Sequence, residues 1–185
     1  MKRACPLCLL TVALVLGLAR LPQASLLSTM SLSELVAASD RIVVVKVISV
    51  QAAWDSSHRK ILSTIEVDIE QIWKGDAATA SRTSIVQPGG TVGDIEMAVG
   101  GMPQFAPGEK ALLFLHGRAR PQVVGMSQGK RTLERDTRSG RWFVQSPDMT
   151  CVVQRGSDAK LRHIQAAAPV DMEELHAQVD SLLRQ

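Results

Sequence analysis

The clearest pattern along the chain is an alternation of apolar and polar positions from Lys60 to Trp73. Even-numbered positions include the carboxylates Glu66, Asp68 and Glu70, whereas odd-numbered positions are mostly aliphatic. Strand side chains point to alternate faces of a sheet, so this pattern predicts a β-strand with one buried and one wet face. Lys74-Gly75-Asp76 predicts the turn that ends it. The positions expected to share the buried face are Ile61, Ser63, Ile65, Val67, Ile69, Gln71 and Trp73.

A run of β-branched residues from Arg41 to Val50 precedes this strand. Such residues suit a pleated surface, and their near-continuous apolarity predicts a strand covered on both faces at one end. The two strands should pair as a long antiparallel hairpin. The other predicted strands are Thr83–Gln87, Ile95–Val99, Lys110–Leu115, Gln122–Val124, Arg141–Gln145 and Cys151–Gln154.

Two helices are predicted near the ends of the chain. Ser31-Leu32-Ser33-Glu34 has the residues of a capping box and predicts a short helix over about Leu32–Ala38. Asp171–Leu183 has apolar residues at helical spacing, with Asp171 and Glu174 placed as N-cap and N3. We therefore expect a mainly β fold, a small barrel of about five to seven antiparallel strands with a helix near each end.

The first 24 residues have the layout of a secretory signal peptide. Lys2 and Arg3 precede an apolar run over Leu7–Leu18, and a short polar end closes on Ala24. The run has about 12 residues, whereas a membrane-spanning helix needs about 20. We predict a secreted or periplasmic protein cut after Ala24, with Ala19 as second choice. Residues 25–185 then form a single domain without a transmembrane segment.

Removal of this leader changes what the composition implies. Lys2, Arg3 and Arg20, with no acidic residue beside them, account for the whole net charge of +3. The mature chain is neutral, so its overall charge does not indicate nucleic-acid binding. Two of the three cysteines also lie in the leader, and Cys151 remains alone. No intrachain disulfide is possible, so stability must come from the hydrophobic core.

Gly125-Met126-Ser127-Gln128-Gly129 matches the G-x-S-x-G pattern of α/β-hydrolase nucleophile elbows. Asp158 and His163, or His176, follow it in the order which that fold uses. The elbow requires a strand before the serine and a packed helix after it. Residues 130–136 carry a single large apolar side chain, so they cannot supply that helix. Catalysis by Ser127 with Asp158 and His163 is therefore kept as an alternative, and we expect a protein that is not an enzyme.

No metal or cofactor is expected. The four histidines, His58, His116, His163 and His176, do not stand at the spacing of a metal motif. The aspartates of the polar loops do not form a calcium-loop pattern.

A basic stretch is the candidate surface for an acidic partner or an anionic surface. Single-stranded nucleic acid would also require stacking aromatic side chains; the chain has no tyrosine, and export argues against such a partner. A solvated loop is the alternative explanation. The residues proposed for partner binding are Arg118, Arg120, Lys130, Arg131 and Arg135.

The order of these elements carries a resemblance. The apolar run Arg41–Val47 is followed by Trp73-Lys74-Gly75-Asp76, then Pro88-Gly89-Gly90, then Pro107–Leu115. This plan, over about Ser31–Asp136, resembles the OB-like barrel of netrin-like modules and tissue inhibitors of metalloproteinases. It is more similar still to uncharacterised secreted bacterial proteins with the same strand plan. The resemblance implies an OB-like fold.

The inhibitory mechanism does not transfer with the fold. Those inhibitors use an N-terminal cysteine to chelate the protease zinc, whereas the mature chain here begins Ser25-Leu26-Leu27. We expect a non-catalytic domain that binds a protein or a cell-envelope component. The alternatives are the serine hydrolase and an inhibitor or chaperone of a secreted protease without the cysteine mechanism. A ligand cleft would exist if residues 89–107 fold over the barrel mouth, which the sequence leaves open.

Signal removal can be checked by N-terminal sequencing of the protein recovered from the exported fraction. We expect the first residue to be Ser25, or Arg20 if cleavage follows Ala19. Recovery of the chain with its first 24 residues intact in that fraction would contradict the assignment.

Overall fold

The computed structural model describes residues 29–76, 81–146 and 167–185. The predicted signal peptide, the predicted strand Cys151–Gln154, Asp158 and His163 lie outside these ranges. Within them the chain forms two α-helices and a one-turn 3₁₀ helix at Met126–Gly129. The α-helices are α1 (Leu32–Ala38) and α2 (Met172–Leu183). The strands are β1 (Arg41–Trp54), β2 (Ile61–Lys74), β3 (Arg82–Pro88), β4 (Gly90–Val92), β5 (Ile95–Met97), β6 (Lys110–His116), β7 (Gln122–Val123), β8 (Lys130–Arg135), β9 (Trp142–Val144) and β10 (Val170–Asp171).

Eight of these strands form one antiparallel sheet in the order β10-β9-β8-β6-β1-β2-β3, with β7 also paired to β6. The mainly β fold with a helix near each end is confirmed, although the strands are more numerous than the sequence indicates. Hydrogen bonding leaves β3 and β10 as the two ends of the described ladder. β4 and β5 form a separate two-stranded ribbon.

The central strand β1 is buried on both faces, as its composition predicts. Ile42 and Val44 point to the side covered by the helices, whereas Val43 and Val45 point to the concave side of the sheet. Each face has its own hydrophobic cluster. The helix-side cluster comprises Leu35, Val36, Ile42, Val44, Trp73, Leu112, Phe114, Val124, Leu133, Val144, Leu175 and Val179. The concave-side cluster comprises Val43, Val45, Val47, Ile65, Val67, Ile85, Ala111, Leu113 and Leu115.

Both helices begin at the predicted caps. The Glu34 amide donates to Ser31 Oγ at 3.2 Å, and the Ser31 amide donates to Glu34 Oε2 at 2.8 Å. These reciprocal bonds satisfy amide donors that have no partner within the helix. At α2 the Asp171 carboxylate accepts from the Glu173 amide at 3.0 Å. Among the described residues, neither helix has the length and apolar character needed to cross a bilayer.

Trp73 lies on the opposite face from the one predicted. It belongs to the helix-side cluster, whereas Ile65 and Val67 belong to the concave-side cluster. The pairing of β1 with β2 shifts register between Val44 and Val45, where the partner changes from Gln71 to Ile69. One extra residue in a strand moves every following side chain to the other face. The alternation therefore predicts the face correctly only as far as Ile69.

The segment Lys130–Arg135 is a strand, β8, rather than the loop suggested by its polarity. It pairs with β6 on one side and with β9 on the other. Leu133 fills the helix-side cluster, while Lys130 and Thr132 reach Glu109 on the other face. Backbone pairing on both edges and one well-placed leucine hold this polar strand in place.

Substitutions at neighbouring positions of β2 test the two faces. Ile65 is fully buried and pairs with Val50 and Ile85, so Ile65→Asp should lower the free energy of unfolding by about 4 kcal/mol or more because it buries an unpaired charge. Glu66 is exposed, so Glu66→Lys should change the free energy of unfolding by no more than about 0.5 kcal/mol. Urea unfolding midpoints measure both, and equal losses would show that the faces are assigned incorrectly.

Candidate functional site

The long hairpin of β1 and β2 extends beyond its neighbour β6. β6 pairs with β1 only over Arg41–Lys46, so the outer half of the hairpin has no β6 beside it. β3 pairs with β2 over Leu62–Asp68, and the chain then returns against the same hairpin as β4, which contacts both β1 and β2. The candidate site is the space enclosed at this open end.

The return of the chain depends on Gly90. Its φ is +126°, and a Cβ at this position would lie 2.5 Å from Ser63 Oγ and 2.8 Å from Ala52 Cβ. Only glycine combines this backbone conformation with so close an approach. The buried Ser63 hydroxyl also donates to the carbonyl oxygen of Gly89 at 2.7 Å. The two glycines at Gly89-Gly90 therefore allow the backbone to turn and β4 to pack closely against the hairpin. The sequence marks it only as a break in β structure.

Residues 87–105 enclose a cavity of about 310 Å³ with the outer parts of β1 and β2. The question that the sequence leaves open is answered, because this segment does fold over the end of the sheet. The volume is at the lower end of the range for ligand pockets. Its apolar wall comprises Val50, Ala52, Ile65, Met97, Val99, Met102 and Phe105, and its polar lining includes Gln87, Thr91, Glu96 and Gln104.

A groove of about 310 Å³ adjoins this cavity between β3 and β7. Gln87, Pro88 and Met102 line both spaces. The Gln87 side-chain amide donates to the Pro103 carbonyl at 2.8 Å and so crosses their boundary. The rest of the groove wall comprises Ile85, Val86, Pro103, His116, Gln122, Val123, Gly125 and Met126.

Large apolar side chains remain exposed around these two spaces. Val50 in the cavity wall is 36% exposed and Val86 in the groove wall is 47% exposed. Ile95, which is 54% exposed, precedes the cavity-lining Glu96 on β5. Exposed apolar side chains grouped around a hollow are typical of binding sites.

The backbone of β3 keeps a free edge beside the groove. The Ile69 amide donates to the Ser81 carbonyl at 2.7 Å, and the positions that bond to β2 alternate from that pair along β3. Ser84 and Val86 therefore turn their N–H and C=O groups away from β2. In the part of the chain that the structure describes, no backbone group bonds to them from the other side. A free strand edge can pair with an extended peptide.

Ser127 lies in the one-turn 3₁₀ helix between β7 and β8. A strand follows this turn, so residues 122–135 do not form the strand–turn–helix of a nucleophile elbow. The second glycine of the motif is explained by packing, because a Cβ on Gly129 would lie 2.2 Å from the carbonyl oxygen of Val124. His176, the alternative third member, is on α2 and stacks on Trp73 with ring centroids 4.4 Å apart.

The predicted basic surface is divided by the fold. Arg118 and Arg120 are exposed in the turn between β6 and β7, and Arg135 is exposed on β8. Lys130 forms an ion pair with Glu109, and its side chain is only 11% exposed. Arg131 is largely buried, which lowers the pKa of its guanidinium, and no described group bonds to its Nε. The charges of Lys130 and Arg131 are thus directed into the domain.

The outer face of β2 carries exposed ion pairs. Asp68 contacts Arg82 at 2.7 Å, and the hydrogen bond from Arg82 lowers the pKa of Asp68. Glu70 contacts Lys110 at 2.6 Å. The carboxylates that alternate along this strand therefore belong to a charged, solvated face. Among the described residues, no group of three or more His, Cys, Asp or Glu side chains could hold a metal ion.

Comparison of the chain with protein-family models, curated proteins and solved structures found no match. The resemblance to netrin-like modules therefore stays a prediction, and the geometry described above carries the functional argument.

A fluorophosphonate probe tests the serine-hydrolase alternative. We expect that the probe does not label Ser127, so the purified protein and its Ser127→Ala variant should give the same signal. The reason is that the turn around Ser127 lacks the packed helix of an elbow. Intact-protein mass spectrometry measures the adduct, and Ser84→Ala, at an exposed serine of β3, is the control. Labelling lost only in Ser127→Ala would make the protein a hydrolase.

Proposed function

We propose that this protein is an exported, non-catalytic binding domain whose partner, a protein or a cell-envelope component, docks at the open end of the sheet. The observation that carries this proposal is the cavity beneath the β4–β5 ribbon, which is lined by both apolar and polar side chains and adjoins the groove between β3 and β7. Export rests on the signal-peptide pattern of the first 24 residues.

The chemistry of the open end suits recognition. Apolar walls provide the free energy of binding when a partner displaces water from them. The neutral polar groups of Gln87, Thr91 and Gln104 can orient the bound group. The free edge of β3 adds backbone donors and acceptors at Ser84 and Val86. The surface thus combines apolar, side-chain polar and backbone contacts within one region.

Site-specific photo-crosslinking tests this surface. A benzophenone amino acid at Ile95 should form an adduct with the partner in the exported fraction, because Ile95 is exposed and directly precedes the cavity-lining residues Glu96 and Met97 on β5. The same group at Leu183, which is 38% exposed near the end of α2, is the matched control. Mass spectrometry of the adducts identifies what is bound.

A second variant makes the test quantitative. Ile95→Lys should lower the affinity for the captured partner by roughly tenfold or more if Ile95 is an anchoring side chain, whereas Leu183→Lys should leave this affinity unchanged. Ile95→Lys should not unfold the domain, since the side chain is largely exposed. Equal crosslinking from both positions, or none from Ile95, would overturn the open end as the binding surface.

A further inference from the structure

The C-terminal helix α2 contacts β2 through a pair of stacked rings. The His176 imidazole lies on the Trp73 indole, with ring centroids 4.4 Å apart and planes inclined by 18°. Trp73 is buried, whereas the His176 side chain is 42% exposed and therefore accessible to solvent. Leu175 and Val179 of the same helix pack into the helix-side cluster. The stack thus links a solvent-accessible imidazole to the contact by which α2 covers the sheet.

Protonation of His176 adds a charge among groups that attract a cation. The face of an indole ring is the most favourable aromatic partner for a cation. Asp180 Oδ1 lies 3.7 Å from His176 Nε2, one helical turn further along. Glu173, three positions before His176, adds a second carboxylate on the same side of the helix. The positive end of the helix dipole acts mainly within the first turn, and His176 lies in the second.

Charged groups on the elements that pack against α2 have bonded partners of their own. They are Glu34 of α1 with Ser31, Glu70 of β2 with Lys110, Lys74 of β2 with the Val36 carbonyl, and Asp171 of β10 with Arg141. The strand β9 carries no charged residue. Within the described ranges, the charge of a protonated His176 therefore interacts mainly with Trp73 and with the two carboxylates of its own helix.

We infer that His176 is a proton-sensitive contact, and that its imidazolium form holds α2 on β2 more strongly than its neutral form does. The inference goes beyond the proposed function, because it concerns the docking of the C-terminal helix and not the binding of a partner at the open end. Histidine changes charge between about pH 5 and pH 8. Because the folded state favours the charged form, the extra stability is present at the acid end of this range and is lost as the pH rises through it.

Urea unfolding of the purified protein at about pH 5.5 and about pH 8 tests the inference, with His176→Gln as the reference. Other titrating groups contribute to both proteins, so the comparison isolates His176. Relative to His176→Gln, the wild type should gain roughly three- to tenfold in its folding equilibrium constant at the lower pH. A cation–π contact at an exposed site and an ion pair one helical turn apart together supply a gain of this size. The partly exposed histidine should accept glutamine without unfolding of the domain.

Three further variants divide this gain among the neighbours of the imidazole. Asp180→Asn should reduce the gain roughly twofold. Asp94→Asn, which removes an exposed carboxylate in the β4–β5 turn, should preserve it and is the matched control. Trp73→Phe should also reduce the gain, because the indole ring attracts a cation more strongly than the phenyl ring does. Hydrogen exchange of the α2 amides, corrected for the intrinsic effect of pH, should show the same gain in protection.

Equal destabilisation by His176→Gln at both pH values would show that the imidazole is only a packing group, and would overturn the inference. A relative gain of the wild type at the higher pH would do the same. The inference also fails if Trp73→Phe and Asp180→Asn both leave the gain intact, or if the α2 amides do not share it.

Discussion

The structure depends on the burial of β1 on both faces. Its residues 42–45 are almost completely inaccessible to solvent, so apolar material must cover each side of the sheet at this strand. The helices α1 and α2 cover one side, and on the other side the apolar side chains of β1, β2, β3 and β6 pack together with Phe105 and Val123. Because the strand is central in the pairing order, both layers are fixed relative to it. This double layer supplies the apolar burial on which the stability of the described sheet depends.

The cavity follows from unequal strand lengths. β1 and β2 have 14 residues each, whereas β6 has 7 and pairs with only the first part of β1. The outer half of the hairpin would expose apolar side chains unless another segment returned over it. The turn at Gly89-Gly90 allows the β4–β5 ribbon to return over the hairpin. The ribbon does not fill the whole space, and the cavity remains beneath it. The candidate site is thus a consequence of how the hairpin end is covered.

Several charged side chains serve the fold. Glu109 accepts from Lys130 and from the Thr132 hydroxyl, the latter at 2.8 Å, and the Lys130 ammonium lies 5.1 Å from the centroid of the Phe105 ring. These contacts fasten the loop that carries Phe105, a wall residue of the cavity, to β8. An ion pair shielded in this way is costly to break by removing one partner. A basic residue in the sequence is therefore not by itself a surface feature of this protein.

Features that depend on near neighbours could be predicted from the residues alone: the mainly β class, the alternation as far as Ile69, both helix caps and the double burial of β1. These are local, because period-two patterns and capping boxes act within a few residues. The face of Trp73, the strand at Lys130–Arg135 and the cavity walls depend on contacts between distant segments and could not be predicted in this way. A register shift depends on the partner strand, a polar strand depends on pairing along both edges, and the cavity joins residues from β1 to Phe105 that no local pattern connects.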